Sequence, residues 1–141
     1  VEKLIALEET LGLDKAATLR AFALRIDALK AELTALLDDL AAGGKRIAGY
    51  GAPAKATTLM YHFAIGAERI DFIVDDSPLK QGLFSPGLHI PVVGPDALAA
   101  EHPDYLLILA WNFADPIMEK MHAFKGRGGR FILPLPEVKV V

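Results

Sequence analysis

The stretch Ile47–Lys55, read IAGYGAPAK, restricts the possible folds more than any other part of the chain. Ile47-Ala48 closes a short apolar run, Gly49, Gly51 and Ala54 fall at the spacing G-x-G-x-x-A, and ATTLMYHF continues as a helix. Strand, tight turn and helix in that order belong to a strand–helix–strand unit, in which glycine permits the turn and close backbone approach. Pro53 has no N–H to lose at a helix start. The first free N–H groups of the helix, with its dipole, form a seat for an anion, and Lys55 adds a full charge. The same turn also serves as nothing more than a tight bend. It is not a Walker loop, because no Gly-Lys-Ser/Thr follows.

From Lys45 onward the pattern alternates. Expected strands are Arg46–Tyr50, Ile70–Val74, Ile90–Val93, the unbroken apolar run Tyr105–Ala110, and Arg130–Leu133, with Pro134–Val141 trailing off the last. Helices are expected at about Ala54–Phe63, Pro95–Glu101 and Asp115–Phe124. Strands joined by helices imply a Rossmann-like α/β fold with a five-stranded parallel sheet in the order 3-2-1-4-5. Ligands of such sheets sit over the carboxyl ends of the strands. Three segments arrive there: Gly49–Lys55, Asp75-Asp76 and Trp111-Asn112-Phe113.

Upstream, Val1–Thr10 is a short amphipathic piece ended by Gly12, and Asp14 is the expected N-cap of a long helix to about Ala42. Its residues Leu19, Phe22, Ile26, Leu29, Leu33, Leu36 and Leu40 recur at steps of three and four, an a/d seam. The seam packs either on the sheet or a neighbouring domain, or on a second copy. Gly43-Gly44 stops it, dividing residues 1–44, a helical segment, from 45–141, the α/β unit.

Each candidate site residue has two readings. Asp75 stands about twenty-five residues beyond Gly49, where a dinucleotide fold puts a carboxylate on ribose; Asp75 and Asp76 equally cap their own loop. A metal there has little support, since no histidine or carboxylate follows at close spacing. Trp111 and Phe113 around Asn112 either stack on a base or cover the sheet end. His89 sits in a Gly/Pro-rich loop, whereas His62, His122 and His102 read as surface or helix-end residues. No catalytic triad, Cys/His pair or His-x-x-x-His motif is present, so no catalytic residue is assigned.

Composition sets the remaining bounds. A net charge of −3 gives no basic field for nucleic acid or anionic lipid. No apolar run approaches the roughly 20 residues of a membrane span, and no leader pattern is visible. The absence of cysteine makes a reducing, cytoplasmic setting the default expectation. Valine as the first residue, in mid-pattern, suggests a piece of something longer.

The stretches GYGAPAKATTL, VDDSPLKQG, SPGLHIPVV, LAWNFADPI and GGRFILPLPE resemble the C-terminal domain of S-adenosylmethionine-dependent sugar C-methyltransferases. The resemblance runs from about Gly12 to Val140. It implies a parent enzyme acting on a deoxysugar carried on a nucleoside diphosphate. A zinc-binding module and a methyl-donor domain would precede this chain, and the nucleotide-sugar would be held between the central and C-terminal domains. The family motifs include Gly49, Tyr50, Gly51, Ala52, Pro53, Ala54 and Lys55, then Asp75, Asp76, His89, Trp111, Asn112 and Phe113. The expected partners are a nucleoside-diphosphate sugar and the upstream domain, with S-adenosylmethionine and zinc bound outside this chain. Some nucleotide-sugar-modifying acyltransferases carry a similar N-terminal domain. Two readings stay beside this one: a nicotinamide-binding oxidoreductase domain with Asp75 on the ribose, and a structural or homodimerising domain built on the heptad helix.

Overall fold

The computed structural model describes residues 1–141. Its sheet is assembled from short, deeply buried strands: β1 (Ile47–Tyr50), β2 (Ile73–Val74), β3 (Val92–Val93), β4 (Tyr105–Ile108), β5 (Arg130–Leu133) and β6 (Lys139–Val140). The order is β3-β2-β1-β4-β5-β6, and every pair is parallel except β5–β6. The expected five-strand order 3-2-1-4-5 is therefore present, extended by one strand. That addition corrects the reading of Pro134–Val141 as a trailing end. Pro134 and Pro136 signal a stop, yet beyond them Lys139 and Val140 pair with Leu133 and Ile132 and cover the outer edge of β5.

Side chains alternate across the sheet and separate into two cores. Ile47, Ile73, Leu107 and Ile132 face one layer; Ala48, Tyr50, Val74, Leu106, Ile108 and Phe131 face the other. The first layer is covered by α2 (Ala16–Ala42) and α3 (Ala54–His62). The second is covered by α4 (Ala97–Glu101), α5 (Ala114–Lys120) and α6 (His122–Gly126). The helix expected over Asp115–Phe124 starts as a 3-10 turn at Trp111–Phe113 and breaks at Met121. β2 and β3 are shorter than the apolar runs that contain them. Ile70 and Ile90 are fully buried outside the ladder, so burial and not pairing explains those runs.

α1 (Glu2–Thr10) precedes α2 across a turn. Asp14 is not the cap of α2. Lys15 holds that position without a side-chain bond. At the other end the helix stops as expected. Gly44 takes a left-handed φ of 71°, its N–H bonds to the Ala41 carbonyl, and the Lys45 N–H reaches back to Leu40. That pair of bonds is a Schellman stop, which glycine makes without strain.

The heptad seam divides in two. Leu33 is fully buried, as is Leu37 next to the seam, and Ile26, Leu29, Leu36 and Leu40 pack beside them on the sheet. Each fully buried leucine contributes about 1.5–3 kcal/mol. The amino-terminal half, with Leu19 and Phe22, remains exposed. At about 1.5 Å per residue a helix of 27 residues is about 40 Å long, more than four-residue strands can cover. Asp38 fixes the packed half through a two-pronged ion pair with Arg69, at 2.8 and 3.0 Å.

Candidate functional site at the carboxyl end of the sheet

Neighbouring strands hold the glycine turn tightly. The Gly51 N–H bonds to the Val74 carbonyl at 2.7 Å, and the Tyr50 carbonyl accepts from Leu109 and Ala110. Gly51 adopts φ 88°, and a Cβ there would stand 2.6 Å from the Ala110 methyl. A Cβ on Gly49 would meet the Leu109 side chain at 2.8 Å. Both glycines are thus required by the packing of β1 against the end of β4. From there Pro53 caps α3 with no side-chain partner.

Asp75 closes the turn from the β2 side. Its carboxylate accepts from the Ala52 N–H at 2.7 Å and the Ser77 N–H at 2.9 Å, and it pairs with Lys80 at 3.0 Å. Burial pushes this carboxyl upward, but the two N–H donors and Lys80 outweigh it and hold its pKa below the ordinary value. Of its two readings the geometry matches the cap. A carboxylate so engaged is not presented to a ribose, which removes the anchor of the nicotinamide reading.

Asp76 turns to the other face. It accepts from the Tyr50 hydroxyl at 3.1 Å and pairs with Lys120 at 2.6 Å. Burial, followed by the Asp76 carboxylate, raises the Tyr50 pKa. This group lies beneath α5, across the sheet from α3.

Lys55 pairs with neither aspartate. Its Nζ lies 4.1 Å from the centroid of the Trp111 ring, a cation–π contact. Around this pair runs a groove of about 500 Å³ between α2 and α3, lined by Ile26, Asp27, Thr58, His62 and Leu135 among others. A second groove, of about 670 Å³, shares Ile26, Trp111 and Leu135 and adds Arg25, Glu32 and Asn112. On the opposite flank of the helix start, Ala52, Pro53 and Ala54 line a smaller pocket of about 150 Å³ under the loop Lys80–Pro86.

The sequence-predicted residues therefore occupy several surroundings. Lys55, Trp111 and Asn112 meet at the paired grooves; Ala52, Pro53 and Ala54 face the small pocket. Gly49, Gly51 and Asp75 build the turn, and Tyr50 with Asp76 lies on the far side. His89 and Phe113 line none of these hollows. His89 is exposed at the left-handed φ of 53°, and Phe113 is 62% exposed. Asp27, Thr58 and Leu135 are not singled out by the sequence, which offers His62 only as a surface or packing residue. One signal points to Thr58 and His62, since Lys55, Thr58, Leu59 and His62 follow the spacing of a single helix face. The α2 wall had no such signal, because nothing in the sequence fixes where a long helix crosses.

The motif stretches that shape this end of the sheet match the family description "C-methyltransferase C-terminal domain" over residues 1–136. The chain belongs to that family. It is also 40% identical over all 141 of its residues to the C-methyltransferase NovU of Streptomyces niveus, of which it covers 34%. It thus spans about a third of the length of that relative. Family membership bears out the resemblance drawn from the motifs, that of a C-methyltransferase C-terminal domain. No helix is long and apolar enough to cross a membrane, and no cluster of three or more histidine or acidic side chains is arranged to hold a metal ion.

Proposed function

We propose that this domain forms one wall of the nucleotide-sugar cleft of an S-adenosylmethionine-dependent C-methyltransferase, and that methyl transfer takes place outside it. The observation that carries this reading is the Lys55–Trp111 stack beside a groove of about 500 Å³. A nucleoside-diphosphate sugar presents two anionic phosphates, a flat base and several hydroxyls. The groove offers a cation at a helix start, an indole face, and the polar groups of Asp27, Thr58 and Asn112. An aromatic face stacks a base with little regard to its identity. The Lys55 side chain is long enough to leave the ring for a phosphate. The reaction class comes from the family and the NovU relative; the sugar ligand comes from the chemistry of the groove and the motif resemblance.

The test is calorimetric titration of the full-length parent enzyme with a thymidine diphosphate-sugar. Base–aromatic stacking is typically worth about 1–3 kcal/mol, so Trp111→Ala should weaken binding about five- to 150-fold, while Trp111→Phe retains most of it. Unchanged affinity in Trp111→Ala would remove the base from this wall.

A further inference from the structure

The amino-terminal third of the chain bears more apolar surface than a finished surface carries. Leu4 and Leu7 are 64% and 51% exposed on α1, Leu11 is 57% exposed just past its end, and Leu19, Phe22 and Leu24 are 55%, 53% and 69% exposed on α2. Isolated exposed leucines need no explanation, but a contiguous set marks an interface. Leu19 and Phe22 continue the same seam that is buried on the sheet at Leu33. The stripe therefore runs from a packed interface straight into bare solvent.

Leu24 lies on the opposite side of the helix, at the centre of a second stripe: Ala17, Ala21, Leu24, Ala28, Ala31 and Ala35. Its steps are four, three, four, three and four, and all six residues are exposed. A helix apolar on two opposite sides is built for burial on both. A parallel two-helix seam with a second copy would cover one side and leave the other wet. Small residues along the outer stripe allow another helix to approach closely.

We propose that α1 and the outer face of α2 are the docking surface for the rest of the parent polypeptide, the methyltransferase domain that precedes this one. The occupant follows from the family. The matched family is a C-terminal domain, and this chain covers only 34% of its NovU relative, so most of such a protein lies on the amino-terminal side of α1. α1 and the overhanging half of α2 are the parts of this domain nearest that polypeptide in sequence. α2 then acts as a shared rib, with one side in the sheet core of this domain and the other in its neighbour. This inference rests on the family and on exposure, and is independent of the nucleotide-sugar reading.

The experiment is amide hydrogen exchange on the full-length parent enzyme, with sedimentation at matched concentrations. In the wild type, the amides of Glu2–Leu24 should exchange as slowly as those of Leu29–Leu37, at every concentration. Leu24→Glu places a carboxylate on the outer stripe without touching the sheet, and should speed exchange in Glu2–Leu24 at least tenfold while Tyr105–Ile108 stays protected. Ala31→Arg adds bulk to the same stripe, away from both grooves, and should act alike. Fast exchange of Glu2–Leu24 in the wild type would overturn the proposal. So would protection that fades on dilution together with a sedimenting dimer, which would assign the surface to a second copy. Unaltered exchange in both variants would overturn it as well.

Discussion

Asp75→Ala should destabilise the fold by about 2–5 kcal/mol. The carboxylate is 7% exposed as a residue and is held by two backbone N–H groups and Lys80, at 2.7, 2.9 and 3.0 Å. Hydrogen bonds to a charged group contribute about 1.5–3 kcal/mol each, but not additively, and Lys80 is half exposed and can turn to water. The Ala52 N–H carries most of the loss, since its bond to Asp75 is the shortest of the three and it has no backbone partner. For a domain of this size each kcal/mol moves the melting temperature by about 2–4 °C, so the expected fall is roughly 4–20 °C. Acid should reveal the same interaction. A carboxyl with a lowered folded-state pKa gives stability that is complete above its unfolded value near 3.8 and is lost as pH falls through the folded value. The wild type should therefore lose stability faster than Asp75→Ala below about pH 4. Calorimetric melts of both proteins from pH 7 to pH 3 are the assay. A melting temperature within 2 °C of wild type at pH 7, or parallel pH profiles, would refute Asp75 as the brace of the glycine turn.

Four further outcomes follow from the packing. Gly51→Ala should cost about 2–4 kcal/mol in chemical denaturation, because it combines a left-handed φ with a 2.6 Å clash against Ala110. Leu33→Ala, at a fully buried position, should cost about 2–5 kcal/mol, whereas Leu19→Ala should change the stability of the isolated 141-residue chain by less than about 0.5 kcal/mol. Equal effects would show that the seam is not divided as described. Calorimetry of the isolated chain with S-adenosylmethionine should give no binding heat, and micromolar binding would overturn the assignment of the methyl donor to another domain.

The strand order was legible because the central strands are fully buried on both faces and therefore apolar without interruption. Tyr105–Ala110 shows this directly. The glycine turn was legible in position but open in cause. Only coordinates reveal that Leu109 and Ala110 occupy the space a Cβ would need. β6 was missed because two residues paired across a proline-rich bend leave no periodic trace. The cap on α2 was misplaced by one residue, since Asp14 fits the usual composition while the chain starts the helix without a side-chain bond. At the site, Lys55 and Trp111 were each visible as candidates, 56 positions apart in the sequence. Their contact depends on how far the 3-10 turn carries the indole over α3, and no local pattern encodes that distance.

We propose above all that this domain contributes a phosphate-binding cation, Lys55, to the nucleotide-sugar cleft of its parent enzyme. Lys55→Ala leaves the fold nearly unchanged, since alanine suits the first turn of a helix and a partly exposed cation–π contact contributes only about 0.5–1 kcal/mol. A charge-assisted bond to a diphosphate contributes about 1.5–3 kcal/mol. Titration of thymidine and uridine diphosphate-sugars into the full-length enzyme should therefore show affinity about ten- to hundredfold weaker in Lys55→Ala, with the melting temperature held within a few degrees. Equal affinity in wild type and variant would contradict the claim and leave Lys55 as a surface residue resting on Trp111.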